Sequence, residues 1–233
     1  MMGAILKCEE PSAYKYTAFV PSAMVEVHSG EKLDIKMQYP LLGMTNAEKT
    51  CYLRKEAYEH LMKAADQLPD GYRFRIWDAW RPFALQKELY EVYYDKIVQE
   101  FKLENRTQEE RECVIRKFVS DPVADIAFPP VHTTGGAIDL TILDECGREL
   151  DMGSAFDEFT EKTHTAYYED GTKSEIRENR RLLYGIMKDS GFTNLPSEWW
   201  HYDYGDRFWA FYNAKPAIYK GIFTREEIIR GEL

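Results

Sequence analysis

No stretch of this 233-residue chain approaches the roughly 20 uninterrupted apolar residues of a membrane helix, so a soluble protein without a membrane partner is expected. Positive charge is also scarce. Lys and Arg number 30 against 40 Asp and Glu, and the net charge of -10 opposes nonspecific attraction to nucleic acid or anionic lipid. The four cysteines, Cys8, Cys51, Cys113 and Cys146, are widely scattered and form neither a CxxC pair nor a disulfide framework; reduced, structural thiols are the expectation. The opening residues, Met1 to Cys8, carry no basic leader and no long apolar run, which predicts a cytoplasmic protein. Strands and helices alternate without the regular βαβ rhythm or the glycine-rich phosphate loop of a doubly wound fold.

A single α+β domain spanning residues 1–233 is therefore expected, with residues 1–40 as an irregular arm or short strands broken by Pro11, Pro21, Gly30 and Pro40. Thr45-Asn46-Ala47-Glu48 has the form of a capping box, and Leu53, Ala57, Leu61, Ala64, Ala65 and Leu68 follow at helical spacing. Tyr72, Phe74 and Ile76 alternate with Arg73 and Arg75 as a half-buried strand, which delivers Asp78-Ala79-Trp80-Arg81-Pro82 at its end. Helices are predicted over 83–101 and 108–119, the second opened by the box Thr107 to Glu110. The segment 137–142 is a strand with Ile138, Leu140 and Ile142 on one face and Asp139 on the other. A helix over 174–190, an aromatic strand Glu198-Trp199-Trp200-His201-Tyr202 and a short helix after Thr224 complete the reading.

Only five histidines exist, at 28, 60, 132, 164 and 201, and two stand out by context. His132 precedes Gly135-Gly136, which lets the backbone turn sharply between a loop imidazole and the strand carboxylate of Asp139. A catalytic zinc site takes three nitrogen or oxygen ligands and leaves a position for water, whose pKa it lowers to about 7. His132, Asp139 and His201 supply such a set, and Glu198, three residues before His201, is placed to take a proton from the water. Residues three apart on a strand face opposite sides, so Glu198 has to sit in a bend, which Pro196-Ser197 allows. Taken singly, each residue also fits a structural role: His132 in a loop, Asp139 in a surface pair, His201 as a core histidine, and Trp199-Trp200 as core packing. Arg81, at a strand end before Pro82, can face an oxyanion or form a surface ion pair. Asp78 can orient Arg81 or a ligand histidine.

These segments resemble the D-alanyl-D-alanine dipeptidase family, VanX-type zinc peptidases related in fold to zinc D-Ala-D-Ala carboxypeptidases and the hedgehog signalling domain. Trp77 to Pro82 is similar to the family's arginine motif, His132 to Asp139 to its first zinc motif, Glu198 to His201 to its second, and Asp151 to Asp157 to a stretch between them. The resemblance implies a central antiparallel sheet with flanking helices. It implies one zinc on His132, Asp139 and His201, Glu198 as general acid and base, and Arg81 stabilising the tetrahedral intermediate. Asp157 would hold the substrate's amino group, Tyr39 would lie near that group, and Asp78 is a further candidate for substrate contact. The family serine two residues before the first zinc histidine is replaced by Pro130, so its contacts are lost or supplied by Thr133 or Thr134. The expected reaction is hydrolysis of a small D,D-dipeptide to free D-amino acids. Competing readings are a peptidoglycan carboxypeptidase or endopeptidase on the same scaffold, and a non-catalytic zinc module that binds a partner.

Overall fold

A computed structural model describes residues 3–11, 15–171 and 174–231. In chain order its elements are β1 (Met24–Val27), β2 (Leu33–Ile35), α1 (Gln38–Leu41), β3 (Cys51–Arg54), α2 (Lys55–Ala65), β4 (Arg73–Asp78), α3 (Phe83–Glu100), α4 (Gln108–Ile115), β5 (Ala137–Leu143), α5 (Ser174–Asp189), β6 (Thr193–Asn194), β7 (His201–Asp203), α6 (Arg207–Asn213) and α7 (Arg225–Arg230). Met1 and Met2 of the opening segment lie outside the described residues.

The main sheet runs β2-β4-β5-β7-β6, antiparallel except at the edge, where β2 pairs parallel to β4. A two-stranded sheet joins β1 to β3. Part of the expected N-terminal arm is thus strand. On one face of the main sheet, Phe74, Ile76, Ile138, Leu140 and Ile142 meet Leu61, Ala64 and Ala65 of α2 and Leu183, Ile186 and Met187 of α5 in one buried cluster. A second cluster, with Leu85, Leu89, Tyr93 and Ile97 of α3 packed against Ile115 and Val119, lies apart from it.

Three boundaries differ from the sequence reading, one of them the end of α4, which stops at Ile115 rather than at 119. The helix expected after Thr45 begins only at Lys55, because Leu53 is in β3, paired with Val25. The supposed box is broken from outside: Glu88 of α3 accepts the N–H groups of Thr45 and Asn46 at 2.7 and 2.8 Å, and Glu48 pairs with Arg225 at 3.6 Å. The aromatic strand is also shorter than expected, starting at His201, since the Glu198 N–H turns back to the Leu195 carbonyl at 3.0 Å. The boxes at Thr107 with Glu110 and Thr224 with Glu227 do form and open α4 and α7.

Candidate metal centre and active site

Strand register assembles the site. Asp139 on β5 lies opposite Asp78 on β4 and opposite His201 on β7, so three polar side chains stand side by side on the face away from the Ile138 cluster. Simple alternation would put Asp78 on the same side as Phe74 and Ile76. A bulge between Ile76 and Asp78 inserts one extra residue, Trp77, and moves Asp78 to the Asp139 side.

His132 comes from a 3-10 turn, Val131–Thr134, that runs into β5 through the glycine pair. Gly135 is left-handed at φ 76°, and a Cβ on Gly136 would lie 2.1 Å from the carbonyl oxygen of Tyr204, the residue that follows β7. Buried Arg54 fixes the same turn by donating to the Thr134, Ser22 and Lys220 carbonyls at 2.8, 2.6 and 3.0 Å. Thr133 and Thr134 donate their hydroxyls to the Pro130 and Val131 carbonyls, at 2.7 and 2.6 Å.

Both imidazoles have their outward nitrogens occupied. His132 Nδ1 lies 2.8 Å from the Ala79 carbonyl, which can only accept, and His201 Nε2 lies 2.8 Å from Asp203 Oδ1. With protons there, His132 Nε2 and His201 Nδ1 turn bare lone pairs toward each other at 3.2 Å, beside Asp139 at 3.3 and 2.9 Å. Lone pairs and a carboxylate so close need a shared positive charge, supplied by a proton on His201 in the metal-free protein and by the ion once a metal displaces it. Those separations also approach the edges of a tetrahedron with the ~2.0–2.1 Å bonds of zinc to nitrogen and oxygen. The residues therefore fit a single divalent metal, and His132, Asp139 and His201 form a buried group whose donor atoms lie within 4.8 Å of one another.

Electrostatics follow from this crowding. Burial opposes the charge on Asp139, but the His132 and His201 imidazoles outweigh it and hold its carboxyl well below the usual range. Burial would likewise push His201 down, yet Asp203 and Asp139 hold it well above an ordinary histidine. Glu198 enters from the turn before β7, with Oε2 3.9 Å from His201 Nδ1, and burial raises its carboxyl to about 8 against the opposing pull of His201.

Arg81 follows β4, its backbone N–H bonded to the His132 carbonyl at 3.2 Å. Its guanidinium is fixed by Asp78 (Nε 2.8 Å, Nη2 2.7 Å), by Gln86 Oε1 at 2.8 Å and by the Tyr39 hydroxyl at 3.3 Å, and it reaches to 3.8 Å from Asp139. Burial disfavours this cation, while Tyr39 and Asp78 more than restore it. Asp78 is 2% exposed and spent on Arg81, the orienting place rather than the substrate-facing one.

Asp157 closes the other end. It adopts a left-handed φ of 54°, a conformation that costs a non-glycine residue energy and is concentrated at functional sites. Its Oδ2 accepts from Tyr93 at 2.6 Å and Tyr39 at 3.0 Å, and burial raises it to about 6 despite the Tyr93 bond. Asp157, Arg81, Glu198 and the metal-facing residues line one cavity of about 50 Å3.

Four residues of the assembly were not picked out by the sequence reading: Asp203 behind His201, Asp206 behind Asp203, Gln86 behind Arg81 and Tyr93 behind Asp157. Asp206 caps α6, and its carboxyl is held well above the usual range by burial and by neighbouring Asp203. His201 and Asp203 share a strand face by alternation, a signal available in the sequence. Tyr93 and Gln86 carry no such signal.

Two imidazoles, a carboxylate and an adjacent raised carboxyl are the parts of a mononuclear metal hydrolase. More narrowly, the chain belongs to the peptidase M15 family of D-ala-D-ala dipeptidases, whose model matches residues 37–218. It is 32% identical to the D-alanyl-D-alanine dipeptidase of Synechocystis sp., over 70% of this chain and 73% of that one. Against the Escherichia coli K12 dipeptidase identity is 34%, over 66% of each chain, and against that of Enterococcus faecium it is 33%, over 63% of this chain and 70% of the other. Among solved structures, VanYB in complex with D-Alanine-D-Alanine matches with a TM-score of 0.41 at 18% identity, over 81% of this chain and 88% of that one.

Proposed function

We propose that this protein hydrolyses D-alanyl-D-alanine or similar D,D-dipeptides to free D-amino acids, with zinc held by His132, Asp139 and His201. The observation that carries the reading is the convergence of two imidazole lone pairs and Asp139 within reach of Glu198 and Arg81. When bound, zinc acidifies water and polarises a carbonyl. Glu198 takes the proton from the attacking water and later gives it to the leaving amine, and a raised carboxyl suits a group that must do both. Arg81, pinned by Asp78 and Gln86, presents a fixed cation to the charge that develops on the carbonyl oxygen. Asp157, braced by Tyr93 and Tyr39, binds the substrate's ammonium, since a buried cation requires a charged partner.

Membership of the dipeptidase family supports this reading over a carboxypeptidase or endopeptidase acting on wall polymer. Glu198 and Arg81 beside the donor set argue against a purely structural zinc module, which needs neither. The proposal includes a single domain acting in the cytoplasm on a small dipeptide; no helix among the described residues is long and apolar enough to cross a membrane. Purified protein is assayed with D-Ala-D-Ala and L-Ala-L-Ala before and after chelation and zinc restoration. D,D-selective, zinc-restored hydrolysis is expected, and Glu198→Ala lowers it by about 100-fold or more while still binding metal. Absence of zinc-dependent hydrolysis of any dipeptide refutes the reading.

A further inference from the structure

Glu198 and His201 lie three residues apart, and an extended backbone would aim them to opposite sides of the sheet. The chain folds back between them instead. The Glu198 N–H bonds to the Leu195 carbonyl at 3.0 Å, while the His201 N–H reaches the Glu198 carbonyl only at 3.4 Å, a long bond that holds the second turn weakly. A side chain closes that turn. Asn194, on the neighbouring strand β6, places Nδ2 2.9 Å from the Glu198 carbonyl and 2.9 Å from the His201 carbonyl, so one amide nitrogen grips both ends of the bend.

Both carbonyls can only accept, so the nitrogen of the amide has to face them, and its two hydrogens are spent there. The oxygen is spent too. The buried Thr165 hydroxyl donates to Asn194 Oδ1 at 2.6 Å, and the Thr165 N–H bonds to the Pro196 carbonyl at 2.9 Å within the same loop. Thr165 is fastened in turn: buried Arg180 of α5 donates to the carbonyls of His164 and Thr165 at 2.6 and 3.4 Å, and to those of Lys162 and Met152 at 2.7 Å each. A line of hydrogen bonds thus runs from α5 through Thr165 and Asn194 to the backbone of Glu198. His201 has other anchors, Asp203 on its ring and the pairing of β7 with β5. Glu198 sits in the turn itself, outside any strand, so the shape of the turn decides where its carboxyl points.

We propose that Asn194 is a positioning residue for the reaction: its amide fixes the base Glu198 relative to the metal-binding His201. Asn194 itself does not line the catalytic cavity. The inference rests on the dipeptidase reading above and adds a residue to its machinery. Steady-state kinetics of the zinc-loaded protein with D-Ala-D-Ala test it. Asn194→Ala is expected to lower kcat by about 10- to 100-fold and to change KM by less than about threefold, because a base displaced by ~1 Å fails the transition state and not the bound substrate. Thr165→Val keeps the shape and removes the hydroxyl that orients the amide, with an expected loss in kcat of about threefold or more. A general loosening of the fold would lower the rate whether or not the base is present, whereas positioning vanishes with the group it positions. In a Glu198→Ala background, Asn194→Ala is therefore expected to change the residual rate by less than about twofold. An Asn194→Ala protein with wild-type kcat overturns the inference, as does a loss equally large with Glu198 absent. If Asn194→Ala does not fold, Thr165→Val in the two backgrounds decides by the same criteria. Failure of the underlying reading looks different: the wild-type protein cleaves no dipeptide.

Discussion

Asp203 is where the reasoning about the metal centre is most exposed to experiment. It is fully buried, and its Oδ1 accepts from His201 Nε2 at 2.8 Å, which forces the proton onto that nitrogen and leaves Nδ1 bare beside Asp139 at 2.9 Å. The Asp203→Asn change preserves shape but removes the charge. If the amide oxygen faces His201, the tautomer survives and the imidazole becomes a weaker base; if the amide nitrogen faces it, the proton moves to Nδ1 and the ligand is blocked. Partners of this kind are worth about 10- to 100-fold in metal affinity, or about 1.4–2.8 kcal/mol. Asp206→Asn provides the contrast. Burial and neighbouring Asp203 already disfavour charge on Asp206, so a neutral amide there is expected to change metal affinity far less. Competition for zinc against a chromophoric chelator, with thermal unfolding of the metal-free proteins as a fold control, measures both. An Asp203→Asn protein that binds zinc as tightly as the wild type refutes the claim that Asp203 sets the His201 tautomer.

Further predictions concern Asp157, the proposed amino-end anchor, and the glycine pair. Asp157 is raised to about 6 and Glu198 to about 8, so kcat/KM for dipeptides is expected to fall below about 8 as Glu198 gains its proton and more steeply below about 6 as Asp157 loses its charge; Asp157→Asn removes the steeper limb with a large rise in KM. Tyr93 opposes the rise by donating to the carboxylate, so Tyr93→Phe moves the limb to higher pH by about one unit or more; a limb that stays put or moves down in a pH–rate profile contradicts this. Gly136→Ala sets a methyl group against the Tyr204 carbonyl where β5 and β7 pair, an overpacking expected to cost ~3 kcal/mol and lower the calorimetric midpoint by ~6–12 °C. An unchanged midpoint would show that the strands separate there at no cost.

What could be read from the sequence divides along the range of the forces involved. Local devices were legible: the Thr107 and Thr224 boxes depend on atoms three residues apart, and the alternation of 137–142 places Asp139 opposite the core without knowledge of its neighbours. The Thr45 box failed for the complementary reason. Glu88, 43 residues away, captures the N–H of Thr45, and no local pattern encodes that competitor. The site divides in the same way. The glycine pair and the need for a bend before His201 are backbone statements, and both hold. Asp78, by contrast, faces Arg81 only because Trp77 is the extra residue of a bulge, and a bulge is defined by two strands rather than one. Tyr93 reaches Asp157 across 64 residues and Gln86 reaches Arg81 from the first turn of α3, contacts settled by how α3 packs beside the sheet. The ligands of a metal have to be particular residue types, so a motif can expose them. The residues that aim those ligands need only one good hydrogen bond each, which many side chains from many directions can supply, and they become visible only when the strands are placed side by side.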